Sequence, residues 1–329
     1  MNSPATSFSS SVAIIICTWN RADSLRATLL SLQQQRLPPG VHLDVIVVDN
    51  NSSDDTEATV DTLAQGWTLG RLRYVFEGRQ GKQFALNSGI AASSAAVLAF
   101  TDDDILFPPG WVAGICATFA DGKVDLAGGK TLLTWPPSGI PPWYADSMAA
   151  VLGGVDLGEG FLASPPAGYA PAGANLIATR RLFERVGPYS EIHFRHMDYE
   201  FGLRCANAGC AVAYDPALVV LAPVDPHILS KRYFRRWAFK AGISRDHAVP
   251  SQPPPTFLAV PRWVFRQFFG DLLRLPRDLL FATPAQAFAR ELHLWRSWGT
   301  IAGHWYMTLW PARYPQWVER YSQKKKNLY

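Results

Sequence analysis

The triplet Asp102-Asp103-Asp104 follows the apolar run Val97–Phe100, so it sits where a buried strand runs out. Adjacent carboxylates repel one another unless a cation is shared. Mg²⁺ and Mn²⁺ take oxygen ligands and commonly bridge carboxylates to phosphate oxygens, so a divalent ion with a phosphorylated ligand is one chemistry for the triplet. An acidic turn or a helix N-cap is the other. Asp49 repeats the arrangement: it ends the run Leu43–Val48 and precedes Asn50, Asn51, Ser52 and Ser53. Its carboxylate can accept hydrogen bonds from a bound nucleotide, or from its own backbone in an Asx turn. A third polar cluster, Thr18–Arg21, follows the run Val12–Cys17.

These clusters need elements to bring them together. The β-branched runs Val12–Cys17, Leu43–Val48, Leu72–Phe76 and Ala95–Thr101 read as strands buried on both faces. Between them lie helical stretches. Leu25, Leu29 and Leu32 form an apolar stripe, with Asp23 or Ser24 as the expected cap; Lys82–Ala92 and Pro109–Phe119 follow, the last opening with proline in its first turn. Alternating strand and helix with short links predict a mostly parallel sheet, and ligands bind such sheets at the carboxyl ends of the strands. The three polar clusters are thus expected on one edge. Further on, Trp135–Ala172 is rich in Pro, Gly and aromatics and reads as a binding loop or a surface insertion. Thr179–Val186 and Asp198–Ala208 read as helices, and Ala211–Tyr214 and Leu218–Leu221 as short strands.

Composition excludes several classes. The 329 residues are 48% hydrophobic and 18% charged, which excludes general disorder. Four cysteines without zinc spacing exclude a disulfide scaffold and read as buried free thiols in a reducing compartment. A spanning helix needs ~20 consecutive apolar residues. Cys210–Val224 is interrupted by Asp215, Pro216 and Pro223, and Val12–Cys17 lacks a basic leader, so the chain is expected to be either cytoplasmic or peripheral at the cytoplasmic face of a membrane. From Asp225 onward the chain carries 17 Lys+Arg against 6 Asp+Glu and seven of its twelve tryptophans; of the totals of 31 and 27, this leaves 14 against 21 for the first 224 residues. The basic, aromatic part suggests an anionic partner. Residues 257–310, with Arg set among Trp, Phe and Leu, read either as helices packed on the rest of the protein or as a membrane-interface segment. No recognition motif accompanies the charge, so nucleic acid is not an expected partner.

Taken together, IIICTWNRADSLRATLLSL, VIVVDNNSSDDT, GKQFALNSGIAAS and AVLAFTDDDILFPPGW resemble the family 2 glycosyltransferases of GT-A fold, and GANLIATRRLFERVGPYSE and HMDYEFGLRCANAG resemble that family's acceptor-side half. The resemblance covers roughly residues 12–245. It implies an α/β, Rossmann-like, mostly parallel sheet flanked by helices, with a C-terminal helical extension. The expected organisation is a flexible N-terminus at 1–11, a GT-A domain at 12–229 and a basic, Trp-rich helical region at 230–329. Within the domain, 12–130 is the nucleotide-sugar half and 131–229 the acceptor half.

What the resemblance implies for the site is specific. Thr18, Asn20, Arg21, Asp49 and Asn51 line the nucleotide pocket, with Asp49 on the base. Lys82 and Asn87 face the nucleotide sugar. Asp102 and Asp104 match the D-x-D motif, with Asp104 the first choice for Mn²⁺ or Mg²⁺ and Asp103 the alternative. Asp198 is the general base of an inverting displacement, although Met197 stands where the family usually has Glu; Glu200 is a second candidate. Gly173, Asn175 and Trp135 belong to the sugar or acceptor pocket. His227 is a third metal-ligand candidate, and Arg232, Arg235, Arg236, Lys240 and Arg245 close over the diphosphate or form a solvated helix face. The implied function is metal-dependent, inverting transfer from a nucleotide-diphosphate sugar, most plainly a UDP-sugar. The acceptor is a saccharide or a lipid-linked hydroxyl, in surface polysaccharide or glycoconjugate synthesis. The alternatives are an inactive sugar- or lipid-binding scaffold and a nucleotidyltransferase; the latter's Gly-rich loop is missing from CTWNRADS.

Overall fold

A computed structural model describes residues 11–166, 168–191, 197–244 and 255–317. Arg245, most of the Pro-rich stretch before Pro255 and the basic end at Lys324–Lys326 lie outside the described residues. The chain divides into two compact units, one of residues 1–133 and 153–223, the other of residues 134–152 and 224–329.

The first unit is built on a seven-stranded sheet. Its strands are β1 (Ser11–Thr18), β2 (His42–Asp49), β3 (Arg71–Phe76), β4 (Val97–Asp102), β5 (Leu126–Thr134), β6 (Leu176–Thr179) and β7 (Val212–Pro223), in the order β3-β2-β1-β4-β6-β5-β7. The β3-β2-β1-β4 half is parallel, while β6 runs antiparallel to β4 and β5. The parallel strands are apolar on both faces because helices cover both. Ile14, Ile16, Val45 and Val47 pack on one side with Leu25, Leu29 and Leu32, and Ile15, Ile46 and Val48 on the other with Ala85, Leu86 and Ile90.

The helices are α1 (Ala22–Leu32), α2 (Thr56–Gln65), α3 (Lys82–Ala91), α4 (Trp111–Phe119), α5 (Arg180–Val186) and α6 (Met197–Asn207). Three expectations are corrected. Neither Asp23 nor Ser24 caps α1: the helix begins at Ala22, whose N–H donates to Asp54 Oδ2 at 3.0 Å, so the capping carboxylate comes from a distant loop. α4 starts at Trp111, after Gly110, so Pro109 lies ahead of its first turn. The two short strands expected at 211–221 are one strand, β7, running through Asp215-Pro216. β7 is the last strand of the sheet, where a proline removes no ladder bond the sheet needs.

In the second unit, a short 3₁₀ helix at Asp146–Leu152 joins α7 (Lys231–Ser244), α8 (Arg262–Phe281) and α9 (Pro284–Leu309). A two-stranded ribbon of β8 (Thr256–Phe257) and β9 (Val260–Pro261) precedes α8. α9 packs against both α7 and α8. Gly242 and Gly299 let α7 and α9 meet backbone to backbone, since a Cβ on Gly299 would lie 2.1 Å from the Phe239 carbonyl oxygen. Thr283 and Gln286 form a reciprocal capping box at the start of α9. Among the described residues no helix is long and apolar enough to cross a membrane.

A comparable approach in the first unit gives a test. A Cβ on Gly129 of β5 would lie 2.1 Å from the Leu218 carbonyl oxygen and 2.5 Å from that of Asp215. Gly129→Ala is therefore expected to destabilise the protein by ~1–3 kcal/mol, as overpacking does. Gly110→Ala, where nothing lies within 4 Å, is the control. Denaturant melts check this, and equal stability of the two variants would contradict the β5–β7 packing.

Candidate active site

The parallel register sets the site. Thr18 at the end of β1 pairs with Asp49 at the end of β2, and Cys17 pairs with Asp102 at the end of β4. The three clusters legible in the sequence therefore share one strand edge. Asp103 lies at the centre, 4% exposed. Its Oδ2 accepts from Thr18 Oγ1 at 2.7 Å and its Oδ1 from Arg21 Nη1 at 2.8 Å. The same Arg21 nitrogen reaches Asp104 Oδ2 at 2.7 Å. Burial lifts the Asp103 carboxyl above its ordinary range although Arg21 and Thr18 oppose it. Lys82, the first residue of α3, is ion-paired with Asp102 Oδ1. Burial opposes its charge, but Asp102, with a further contribution from Asp198, holds the ammonium above the ordinary lysine range. Beside them burial pushes the Cys17 thiol up to about 12, which leaves it a neutral, packed side chain.

Asp49 is buried and doubly bonded. Its Oδ1 accepts from the Ser52 N–H, three residues on, at 2.9 Å, and its Oδ2 accepts from the Tyr74 hydroxyl at 2.8 Å. Burial and then this bond hold the Tyr74 phenol above its usual range. Asn20 and Asn51 both have positive φ, at 52° and 63°. The Asn20 side-chain oxygen accepts from the Ser53 N–H at 2.6 Å, tying the β1 and β2 ends together. Asn50, passed over as part of a polar run, is the anchor of the next loop: it accepts from the Gly81 N–H at 2.7 Å and donates to the Arg79 carbonyl at 2.6 Å. Gly81 has φ 145°, a conformation that favours glycine, and it feeds directly into α3 and Lys82. Glu77, which carried no signal in the sequence, lies in this loop; hydrogen bonds from Arg79 and Ser88 hold its carboxyl down at about 2.

The acceptor-side residues reach the same edge through a relay. Thr101 Oγ1 on β4 donates to the Ala174 carbonyl at 2.9 Å, fixing the 3₁₀ turn Gly173–Asn175 to the strand end. The Gly173 N–H donates to Asp198 Oδ2 at 2.8 Å and the Tyr199 N–H to Asp198 Oδ1 at 2.9 Å. Asp198 lies within the first turn of α6, and its carboxylate is oriented from both sides.

Other named residues are placed differently. Asn175 is 1% exposed and fully committed: it accepts from Trp111 Nε1 at 3.0 Å and donates to the carbonyls of Lys130 and Leu218 at 3.2 and 2.7 Å. Asn87 is bonded through both amide atoms to the Tyr189 backbone. Glu200 pairs with Arg204 one helical turn on. Trp135 and His227 belong to the second unit. There Trp135 packs edge-on against Tyr144 at 4.6 Å, and the His227 N–H donates to Asp225 Oδ1 at 2.9 Å. In that unit, too, Arg235 is bonded to Glu291, and a cavity of about 240 Å³ is lined by Arg232, Arg235, Arg236, Phe239, Lys240 and Trp295.

The donor set suits Mg²⁺ or Mn²⁺. Asp102 and Asp104 are about a third or more exposed, offer hard oxygen donors and leave further positions to phosphate, as such ions prefer. Among the described residues no three His, Cys, Asp or Glu side chains gather into a ready-made metal site.

Comparison with known proteins bears on this geometry. Residues 13–134 match the family model of glycosyl transferase family 2. Over 226 residues the chain is 27% identical to the glycosyltransferase AglE of Haloferax volcanii, spanning 68% of this chain and 71% of that protein. It is 24% identical over 289 residues to the pre-mycofactocin glycosyltransferase of Mycobacterium tuberculosis, spanning 85% of this chain but 58% of that one. Among solved structures, a mannosyltransferase of Pyrobaculum calidifontis in complex with GDP-Man and Mn²⁺ superposes with a TM-score of 0.56 at 19% identity, over 94% of this chain and 84% of that one. The segment at 13–134 thus belongs to glycosyl transferase family 2, on a GT-A fold. The enzyme is a glycosyltransferase.

The loop that positions Lys82 can be tested by pH. Glu77 titrates near 4.5 when unfolded and at about 2 when folded, so its stabilisation is present above 4.5 and is lost as pH falls towards 2. Wild-type stability should fall more steeply than that of Glu77→Gln across this window in denaturant melts; parallel curves would contradict the loop's hydrogen bonding.

Proposed function

We propose that the chain is an inverting, divalent-metal-dependent glycosyltransferase moving a sugar from a nucleotide-diphosphate donor, a UDP-sugar first among candidates, to a saccharide or lipid-linked hydroxyl. The observation that supports this most is the single strand edge that carries Asp49, Asp102 and Asp104 and to which the Thr101–Ala174 and Gly173–Asp198 hydrogen bonds bring Asp198. Asp104 and Asp102 would hold the metal. When bound, Mg²⁺ or Mn²⁺ would offset the negative charge that grows on the departing diphosphate.

The side chains account for the other steps. Asp198 accepts the proton of the acceptor hydroxyl as its oxygen attacks the anomeric carbon and the bond to the diphosphate oxygen breaks. The backbone N–H groups of Gly173 and Tyr199 fix the carboxylate's direction, so no reorientation is needed at the moment of transfer. Arg21 and Lys82, which here hold Asp103, Asp104 and Asp102, are the cations available to the diphosphate. Asp49 and Tyr74 form the floor for the base. A mannosyltransferase structure holding GDP-Man with Mn²⁺ supports a nucleotide-plus-metal site on this fold and makes GDP-sugars the second donor class to test. Building surface polysaccharide or another glycoconjugate is the role we infer.

A base role for Asp198 sets the expected kinetics. Asp198→Asn should lower kcat by ~10²–10⁴-fold with little change in donor affinity. NMR of the wild-type product should show the anomeric configuration opposite to that of the donor. Retained configuration, or a near-wild-type kcat in Asp198→Asn, would sink the mechanism.

A further inference from the structure

α8 carries two neighbouring stripes on its outer side. Phe269, Leu272, Leu273 and Leu280 recur at helical spacing, i, i+3, i+4 and i+11, and form an exposed apolar stripe. Leu273 is 81%, Leu280 76% and Phe281 83% exposed. Arg262, Arg266, Arg274 and Arg277 lie on the exposed side as well, and among the described residues none of the four is ion-paired. The helix's two acids, Asp271 and Asp278, are turned the other way, and both are bonded to Arg290 of α9. The outward side of α8 is thus apolar and cationic, with its negative charge neutralised inside the unit.

We infer that this side of α8 docks in the plane of an anionic lipid bilayer. Leu273, Leu280 and Phe281 leave three quarters or more of their surface in water, and burying them in the headgroup–acyl boundary removes that surface from water. Arginines beside such a stripe keep their guanidinium groups at headgroup level while their stems lie along the apolar surface. Trp263, half exposed near the start of the helix, is the side chain expected to rest at that boundary. Charge argues for lipid over a second copy of the chain, because a face-to-face pair would bring two unpaired arginine stripes together. The helix lies on the surface and does not span it: its buried side, at Val264 and Asp271, belongs to the unit's own packing.

The test is co-sedimentation of the full chain with vesicles of phosphatidylcholine alone or of phosphatidylcholine with phosphatidylglycerol. Wild type should sediment with the anionic vesicles, weakly with the neutral ones, and less in high salt. Leu273→Glu combined with Leu280→Glu should abolish sedimentation. Arg266→Gln combined with Arg277→Gln should weaken it on the order of thirtyfold. Melting temperatures of all variants should match wild type, since the altered side chains face solvent. Wild type left in the supernatant with anionic vesicles overturns the inference, as does unchanged binding by both double variants. A concentration-dependent dimer in sedimentation velocity, lost in Leu273→Glu with Leu280→Glu, would assign the face to a second copy and overturn it too.

Discussion

Asp103 is a carboxylate held almost wholly out of water, and such a group is tolerated only when its oxygens are bonded. Thr18 and Arg21 supply those bonds, so the ends of β1 and β4 are locked together by the cost of leaving Asp103 unsatisfied. That lock has a chemical consequence. Arg21 is drawn between Asp103 and Asp104, while Lys82 is drawn to Asp102. The triplet is thereby divided: a buried middle carboxylate serves the fold, and two more exposed flanking carboxylates stand at the edge with a cation each. The middle residue of a D-x-D arrangement, here an aspartate, is the structural one.

The same edge is reached from the acceptor side by backbone bonds rather than by charge. Thr101 fixes the Gly173–Asn175 turn to β4, and the turn's first N–H fixes Asp198. Asn175 secures the turn from beneath, on Trp111 and the carbonyls of β5 and β7. All the polar atoms of its side chain are spent inside the protein.

Much of this was legible in the sequence because parallel strands buried on both faces appear as unbroken apolar runs. β1, β2 and β4 each end at the polar cluster that marks the site, so edge and cluster were read together. What escaped reading depends on contacts between distant segments. Asn50 looks like one more residue of a polar turn until Gly81 and Arg79, some thirty positions later, are seen to bond it. Glu77 and Tyr74 stand in no periodic pattern. The α1 cap was misplaced because Asp54 supplies it from another loop. β7 was split because proline is a strand breaker everywhere except at an edge, and edge position is a property of the whole sheet.

The central claim is that Asp102 and Asp104 become a complete ion site only with a nucleotide diphosphate in place. Thermal unfolding with UDP or GDP, with and without Mn²⁺, on wild type and Asp104→Ala measures this most directly. A ligand that binds only the folded state raises Tm by mass action. The account predicts that one nucleotide and Mn²⁺ together raise the wild-type Tm more than the sum of their separate effects, and that this excess vanishes in Asp104→Ala. Equal stabilisation without Mn²⁺, or in the variant, would contradict it.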